Sequence, residues 1–236
     1  MTGTVGRAAG PHGPGRSSGG TDEAPAGPGD TPAGPDGRPR CPWALGDERY
    51  RRYHDEEWGR PVARDDRLYE KVCLEGFQSG LSWRTILHKR PAFRDAFDGF
   101  DIETVARYGA RDVERLAGRA DIVRNRAKIE AAVHNARRAL ALREETGRSL
   151  AAFFWAFEPK AAERPATLDR HWLDAHPTTE ASTRLAAALK ARGWKYVGPT
   201  TMYALMQALG LVNDHVEGCW RRADVERERR AFVRPA

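Results

Sequence analysis

The segment IVRNRAKIEAAVHNARRALALREE, Ile122 to Glu145, decides the fold class. Its apolar residues Ile122, Ile129, Val133, Ala136 and Leu140 recur near the 3.6-residue period of an amphipathic helix. The same reading extends in both directions. Upstream, Asp65 and Asp66 can cap a helix carrying Leu68, Val72, Cys73 and Phe77, and Ser82 a second with Trp83, Ile86 and Leu87, stopping before Pro91. Asp101 opens IETVARY, and RDVERLA follows Gly109. Downstream, Ser149 caps LAAFFWAF, ended by Pro159; TTEASTRLAAALKARG ends at Gly193; Pro199 starts PTTMYALMQALG, closed by Gly210. Period-2 alternation is absent, so the expected fold is all-α: a compact multi-helix domain without an internal repeat.

The segment before these helices, CPWALGDERYRRYHDEEWGRPV, reads differently. It is broken by Gly46, Gly59 and Pro61, and Trp43, Tyr50, Tyr53 and Trp58 crowd into it. Such rings either fill a core or face a ligand.

The chain has 236 residues, enough for one sizeable domain or two small ones. Residues 1–40 hold 11 of the 23 glycines and 7 of the 15 prolines, with almost nothing apolar larger than alanine. Such a segment cannot bury enough surface to offset its chain entropy, so it is expected to be a disordered tail. It has no signal-peptide core, and no apolar run approaches the roughly 20 residues that span a bilayer. A soluble cytoplasmic protein is expected. The four arginines and four acids of the tail cancel, so the net charge of +6 sits on residues 41–236. That charge suits a polyanionic partner such as nucleic acid, or is an ordinary solvated surface. Three cysteines, Cys41, Cys73 and Cys219, argue against a disulfide framework and leave burial or metal binding.

Three groups of residues suggest chemistry. His215 and Cys219 stand four apart near the C-terminus, and Cys41 and His54 form a second pair near the start. Two thiolates and two imidazoles make a closed tetrahedral zinc set, although such pairs also arise by chance. Arg119, Arg124, Arg126 and Lys128 flank a short connection between helices, which can seat a phosphate or simply be a solvated face. Glu75 lies in VCLEGFQSGLSW among apolar neighbours. A carboxylate there is either exposed or faces a cavity, and in the second case its partner is expected to arrive with a substrate. A planar cation would be drawn by the charge and by ring faces, at roughly 0.5–2 kcal/mol per cation–π contact.

In this order, the motifs CPW, YRRYHDEEWG, VCLEGFQSGLSW, RGWKYVGPTTMYALMQALGLVNDH and a terminal cysteine resemble the bacterial 3-methyladenine DNA glycosylase I family, over roughly residues 41–219. The resemblance implies a helix-hairpin-helix all-α glycosylase that removes 3-methyladenine from alkylated DNA, opening base excision repair. It implies a structural zinc on Cys41, His54, His215 and Cys219, with Glu75 contacting the lesion base. The aromatic pocket falls on Trp43, Tyr50, Tyr53, Trp58 and Trp83, and Cys73 is a core thiol. The partner implied is duplex DNA with alkylated bases, met by a monomer that needs no membrane. A monofunctional reaction follows, because no lysine stands out in the motif block as a Schiff-base nucleophile.

Two features depart from the family. Asp121 stands where the hairpin usually has glycine, with Ala127 at a further small position; aspartate tolerates the left-handed conformation, but its charge repels phosphate. His171 and Trp172 fit no family role. Two rival readings remain, a damage sensor without turnover and a zinc hydrolase with an open metal position. The expected organisation is a tail over 1–40, a glycosylase domain over 41–220 and a basic tail over 221–236. The last carries Arg221, Arg222, Arg227, Arg229, Arg230 and Arg234 and either adds affinity for DNA or, as favoured here, is solvated and disordered.

Overall fold

A computed structural model describes residues 31–236. Of the tail expected over 1–40, residues 1–30 lie outside the described residues. A 3-10 turn, Pro42–Leu45, precedes α1, Glu48–Glu56. There follow α2 (Asp65–Gln78), α3 (Trp83–Ala96), α4 (Ile102–Ala106), α5 (Ala110–Ala117) and α6 (Arg126–Thr146). The chain ends through α7 (Leu150–Trp155), α8 (Arg170–Ala175), α9 (Glu180–Ala191), α10 (Pro199–Ala208) and α11 (Arg222–Ala231). Among the described residues the only β pairing is an isolated bridge between Ala33 and Pro39. The all-α expectation holds.

Local chemistry explains most boundaries. The side chains of Ser82, Asp101, Asn125, Ser149 and Thr179 each accept a hydrogen bond from the backbone amide three residues on. Each such cap stabilises its helix by about 1 kcal/mol. Gly147 ends α6 with φ +64. Two expectations fail. Asp65 does not cap its own helix; its carboxylate accepts from the amides of Leu150 and Ala151 and so holds the start of α7. Pro91 does not end α3, which runs on to Ala96. One backbone hydrogen bond is forfeited there, while Phe93 and Ala96 are fully buried and the Phe93 ring lies 4.6 Å from that of Phe77.

Helix α2 is the centre of the molecule. It packs against α3, α6, α7 and α10, and every residue from Leu68 to Gln78 is buried. A helix buried all round offers no solvent to its charged side chains, so each must find a partner inside. Glu70 takes Arg67 at 2.5 Å and Arg94 at 2.8 Å. Cys73 is a buried core thiol, its pKa pushed up to about 12 by burial.

Both tails differ from expectation where they are described. Residues 31–40 are pinned: Arg40 is 3% exposed and its guanidinium bonds Asp36 and Asp55. Thr31 donates to the Glu217 carbonyl at 2.7 Å, and the Trp220 amide to the Pro39 carbonyl at 3.0 Å. At the other end the solvated, disordered tail is overturned by α11. Val225 is buried, Arg60 pairs with Glu228 at 2.7 Å, and Arg229 donates to the carbonyls of Gly210 and Leu211. The arginines of this segment are neutralised by internal oxygens. Gly210, with φ +77, lets the exit of α10 meet the Arg60–Pro61 backbone, where a Cβ would come within 2.6 Å. That approach brings the segment after α1 against the loop that carries His215.

Candidate active site and metal centre

Four elements converge on Glu75. Helix α2 carries Glu75 and Lys71, α1 carries Tyr50 and Tyr53, α3 begins with Trp83, and the 3-10 turn supplies Trp43. Tyr53 and Trp83 approach with ring centroids 5.5 Å apart; Trp43 lies edge-on to Tyr50 at 5.2 Å and 6.3 Å from Tyr53. Glu75 is 3% exposed. Burial raises its pKa, with Lys71 opposing the rise, and its charge in turn helps to raise the hydroxyls of Tyr50 and Tyr53.

One sequence expectation is corrected here. The partner of Glu75 is in the chain: Lys71 Nζ lies 3.0 Å from Glu75 Oε1. The same ammonium donates to the Tyr53 hydroxyl at 2.9 Å and stands 3.3 Å from the centroid of Trp83. Lys71 is 6% exposed, and desolvation lowers its pKa while Glu75 raises it. The signal was present as the i, i+4 spacing of Lys71 and Glu75, but it becomes informative only once that face of α2 is known to turn inward. Trp58 lies between the two centres: it is 1% exposed, its ring lies 5.0 Å from that of Trp43 and 4.7 Å from that of His215, and its carbonyl faces His215 Nε2 at 3.1 Å.

Cys41, His54, His215 and Cys219 come together although they are far apart in sequence, with their ligand atoms all within 4.8 Å of one another. Cys219 Sγ lies 3.4 Å from His215 Nδ1 and 3.5 Å from His54 Nε2; Cys41 Sγ lies 3.7 Å from His215 Nδ1. The outward nitrogens are spoken for: His54 Nδ1 is 2.7 Å from Asp55 Oδ1, and His215 Nε2 faces the Trp58 carbonyl. These acceptors draw the ring protons outward, leaving two lone pairs facing each other at 3.1 Å. Burial lowers the His215 pKa and keeps the ring neutral. Burial raises the Cys41 thiol, while Cys219, which accepts from the Cys41 thiol, is held far down. Such a set could hold a metal ion. The loop bearing His215 is locked by its neighbour Asp214, fully buried, which accepts from Gln207, Tyr203 and Arg164.

The connection between α5 and α6 differs from the open basic turn anticipated. Asp121 is not in the left-handed region, and its carboxylate is neutralised by Arg119 through Nε at 3.0 Å and Nη2 at 2.6 Å. Lys89 donates to the Asp121 carbonyl at 3.0 Å. Lys128 is turned inward, bonding the carbonyls of Phe77 and Ser79 at the end of α2, and Arg126 pairs with Glu114. Arg124 is exposed and, among the described residues, makes no ion pair. Trp172 and His176 stack at 4.2 Å on α8 and its cap, remote in sequence from both centres. His171 is exposed.

An all-helical frame with a buried acid among rings and a thiolate–imidazole cluster defines the class of molecule to look for among known proteins. The family model for methyladenine glycosylase matches residues 43–222, and the chain belongs to that family. DNA-3-methyladenine glycosylase of Haemophilus influenzae is 44% identical over 181 residues, 76% of this chain and 96% of the relative. DNA-3-methyladenine glycosylase 1 of Escherichia coli is 46% identical over 181 residues, 76% of this chain and 95% of the relative. The structure of 3-methyladenine DNA glycosylase I from Staphylococcus aureus, solved for the structural basis of 3-methyladenine recognition, superposes with a TM-score of 0.69. It is 33% identical, over 75% of this chain and 92% of that one.

Proposed function

We propose that this chain hydrolyses the N-glycosidic bond of 3-methyladenine in alkylated DNA, opening base excision repair. The observation that carries the reading is Glu75, buried beside Tyr53 and Trp83, with a cation seated between carboxylate and ring. A positively charged base makes the same pair of contacts. The target nucleotide must leave the stack, at a cost of a few kcal/mol that is smaller for a damaged base. Methylation at a ring nitrogen gives the adenine a positive charge. When the C1′–N bond breaks, its electron pair returns to the base, which departs neutral; water then adds to C1′ and releases a proton. Glu75 recognises the base by accepting from its exocyclic amine, while its charge complements the cation. Tyr53 and Trp83 close on the ring plane, and Tyr50 and Trp43 support Tyr53. Trp58 serves the metal cluster.

The ion we assign to Cys41, His54, His215 and Cys219 is zinc. Bond lengths of about 2.3 Å to sulfur and 2.0 Å to nitrogen in a tetrahedron give ligand separations of about 3.3–3.8 Å; three S–N separations and the N–N separation run from 3.1 to 3.7 Å, and all the ligand atoms lie within 4.8 Å of one another. Four protein ligands leave no water position, which argues against a zinc hydrolase; when bound, the ion supplies a clip between the Trp43 segment and the end of the chain. The α5–α6 connection is proposed as the hairpin that meets the DNA backbone, with Arg124 as its exposed cation. We place the protein in the cytoplasm as a monomer, with a domain from the pinned segment at residue 31 through α11. Among the described residues no helix is long and apolar enough to cross a membrane.

The test is release of 3-methyladenine from methylated duplex by wild type and Glu75→Ala. Loss of release in the variant is expected; equal rates remove Glu75 from the reaction. Binding of alkylated duplex by wild type without release would favour the sensor reading.

A further inference from the structure

The proposed reading asks for a carboxylate and rings, yet this chain places a buried ammonium among them. Lys71 Nζ is 3.0 Å from Glu75 Oε1, 2.9 Å from the Tyr53 hydroxyl and 3.3 Å from the Trp83 ring centroid. These are the contacts a cationic base needs, made by the chain to itself. We infer that Lys71 is a resident cation which holds the base seat and must be exchanged for the incoming base, so that it determines specificity for positively charged bases.

The charge balance supports an exchange. Lys71 and Glu75 together are neutral, and both are buried. A cationic base entering beside a retained ammonium sets two like charges about 4 Å apart, which disfavours joint occupancy by on the order of a hundredfold or more at a protein-like dielectric. If Lys71 leaves and a cation arrives, Glu75 stays compensated. If Lys71 leaves and a neutral adenine arrives, a buried carboxylate is left alone, which is strongly unfavourable. Departure of the neutral product recreates that situation, and return of Lys71 relieves it. The groups around the ammonium fit this account. Glu75 faces it on α2, Tyr53 on α1, and Trp83 and Arg90 on α3; Glu57, just after α1 and held by Arg90 at 2.5 Å, is close enough to favour its charged form. The stem of Lys71 is long and unbranched, so its head can move while α2 stays fixed.

The inference rests on the proposed glycosylase activity, and its test separates the two. KM and kcat for release of 3-methyladenine from methylated duplex are measured for wild type, Lys71→Met and Lys71→Gln, with thermal melts to confirm folding. Lys71→Met keeps the stem and removes the competing charge; Lys71→Gln keeps a donor for Glu75 should the first variant fail to fold. KM is expected to fall about tenfold or more in the variants, because the carboxylate is then free for the substrate cation. A purely structural role would lower the active fraction and leave KM where it was. Unchanged or raised KM overturns the inference while the activity stands; a wild type that releases no base overturns the activity itself. On the wild-type protein, a crystal structure with a permanently charged methylated adenine should show the ammonium moved off Trp83, and a base bound with Lys71 still over that ring would overturn the exchange.

Discussion

Removing Glu75 should destabilise the fold as well as the reaction, and the two losses can be told apart. In Glu75→Ala the Lys71 ammonium, 6% exposed, keeps the Tyr53 hydroxyl at 2.9 Å and the Trp83 face at 3.3 Å but has no anion in contact. Breaking one side of a buried pair costs about 3–5 kcal/mol, of which a desolvated cation–π contact offsets about 2. The expected loss is therefore about 1–3 kcal/mol. For a domain of this size each kcal/mol moves Tm by roughly 2–4 °C. Lys71→Met strands the carboxylate instead and has no ring contact to soften it, so its loss should be the larger. The double variant removes both charges and should be less destabilised than the sum of the singles by about 1–3 kcal/mol. Urea unfolding of wild type, two singles and the double closes this cycle. Coupling below about 0.5 kcal/mol, within the scatter of independent sites, would mean that the two charges do not meet in solution, and both the cage and the exchange would lose their basis.

Further outcomes follow from the same geometry. Purified protein should carry about one zinc per chain, and chelation should lower Tm, because the ion fastens both ends of the domain; full stability without metal would contradict a structural site. Release of base should decline as pH falls through the folded pKa of Glu75. Burial raises that pKa above the ordinary carboxylate value of 4.5, so the proton returns at a higher pH than for an exposed acid. A pH profile flat from 7 down to 4 would contradict an ionised Glu75 in binding. In the α5–α6 connection, Asp121→Gly removes a negative charge and leaves Arg119 paired with Asp95 alone, so DNA binding should tighten and its salt dependence steepen. Arg124→Ala should weaken binding evenly and reduce the salt slope by about 1.

What the sequence disclosed was local. Ser82, Asp101 and Ser149 could be read as caps because a cap depends on a few consecutive residues, and each does cap in the structure. Helix α1 was hidden among rings, although Asp47 and the spacing of Tyr50, Tyr53 and His54 mark one buried face. Helix α11 was hidden because its arginines look solvated until their partners, the carbonyls of Gly210 and Leu211 and the carboxylate of Glu158, are known. Arg40 and Asp36 were assigned to a tail for the same reason, since Asp55 lies across a turn. Cys41 and His215 stand 174 positions apart, so residue type and spacing could only suggest that the two Cys–His pairs meet; the family resemblance and then the fold joined them. Lys71 was missed because composition and spacing do not say that α2 is buried on every side. The same fact turned the question raised by Glu75 around: its charge is already paired, and the substrate must replace that pairing.

The most direct test of the account is to incubate the full chain with methylated duplex DNA and to separate the bases that appear in solution. Free 3-methyladenine should accumulate while unmethylated adenine stays in the strand. Release of no base, or of adenine as readily as its methylated form, would contradict a carboxylate cage that selects for positive charge.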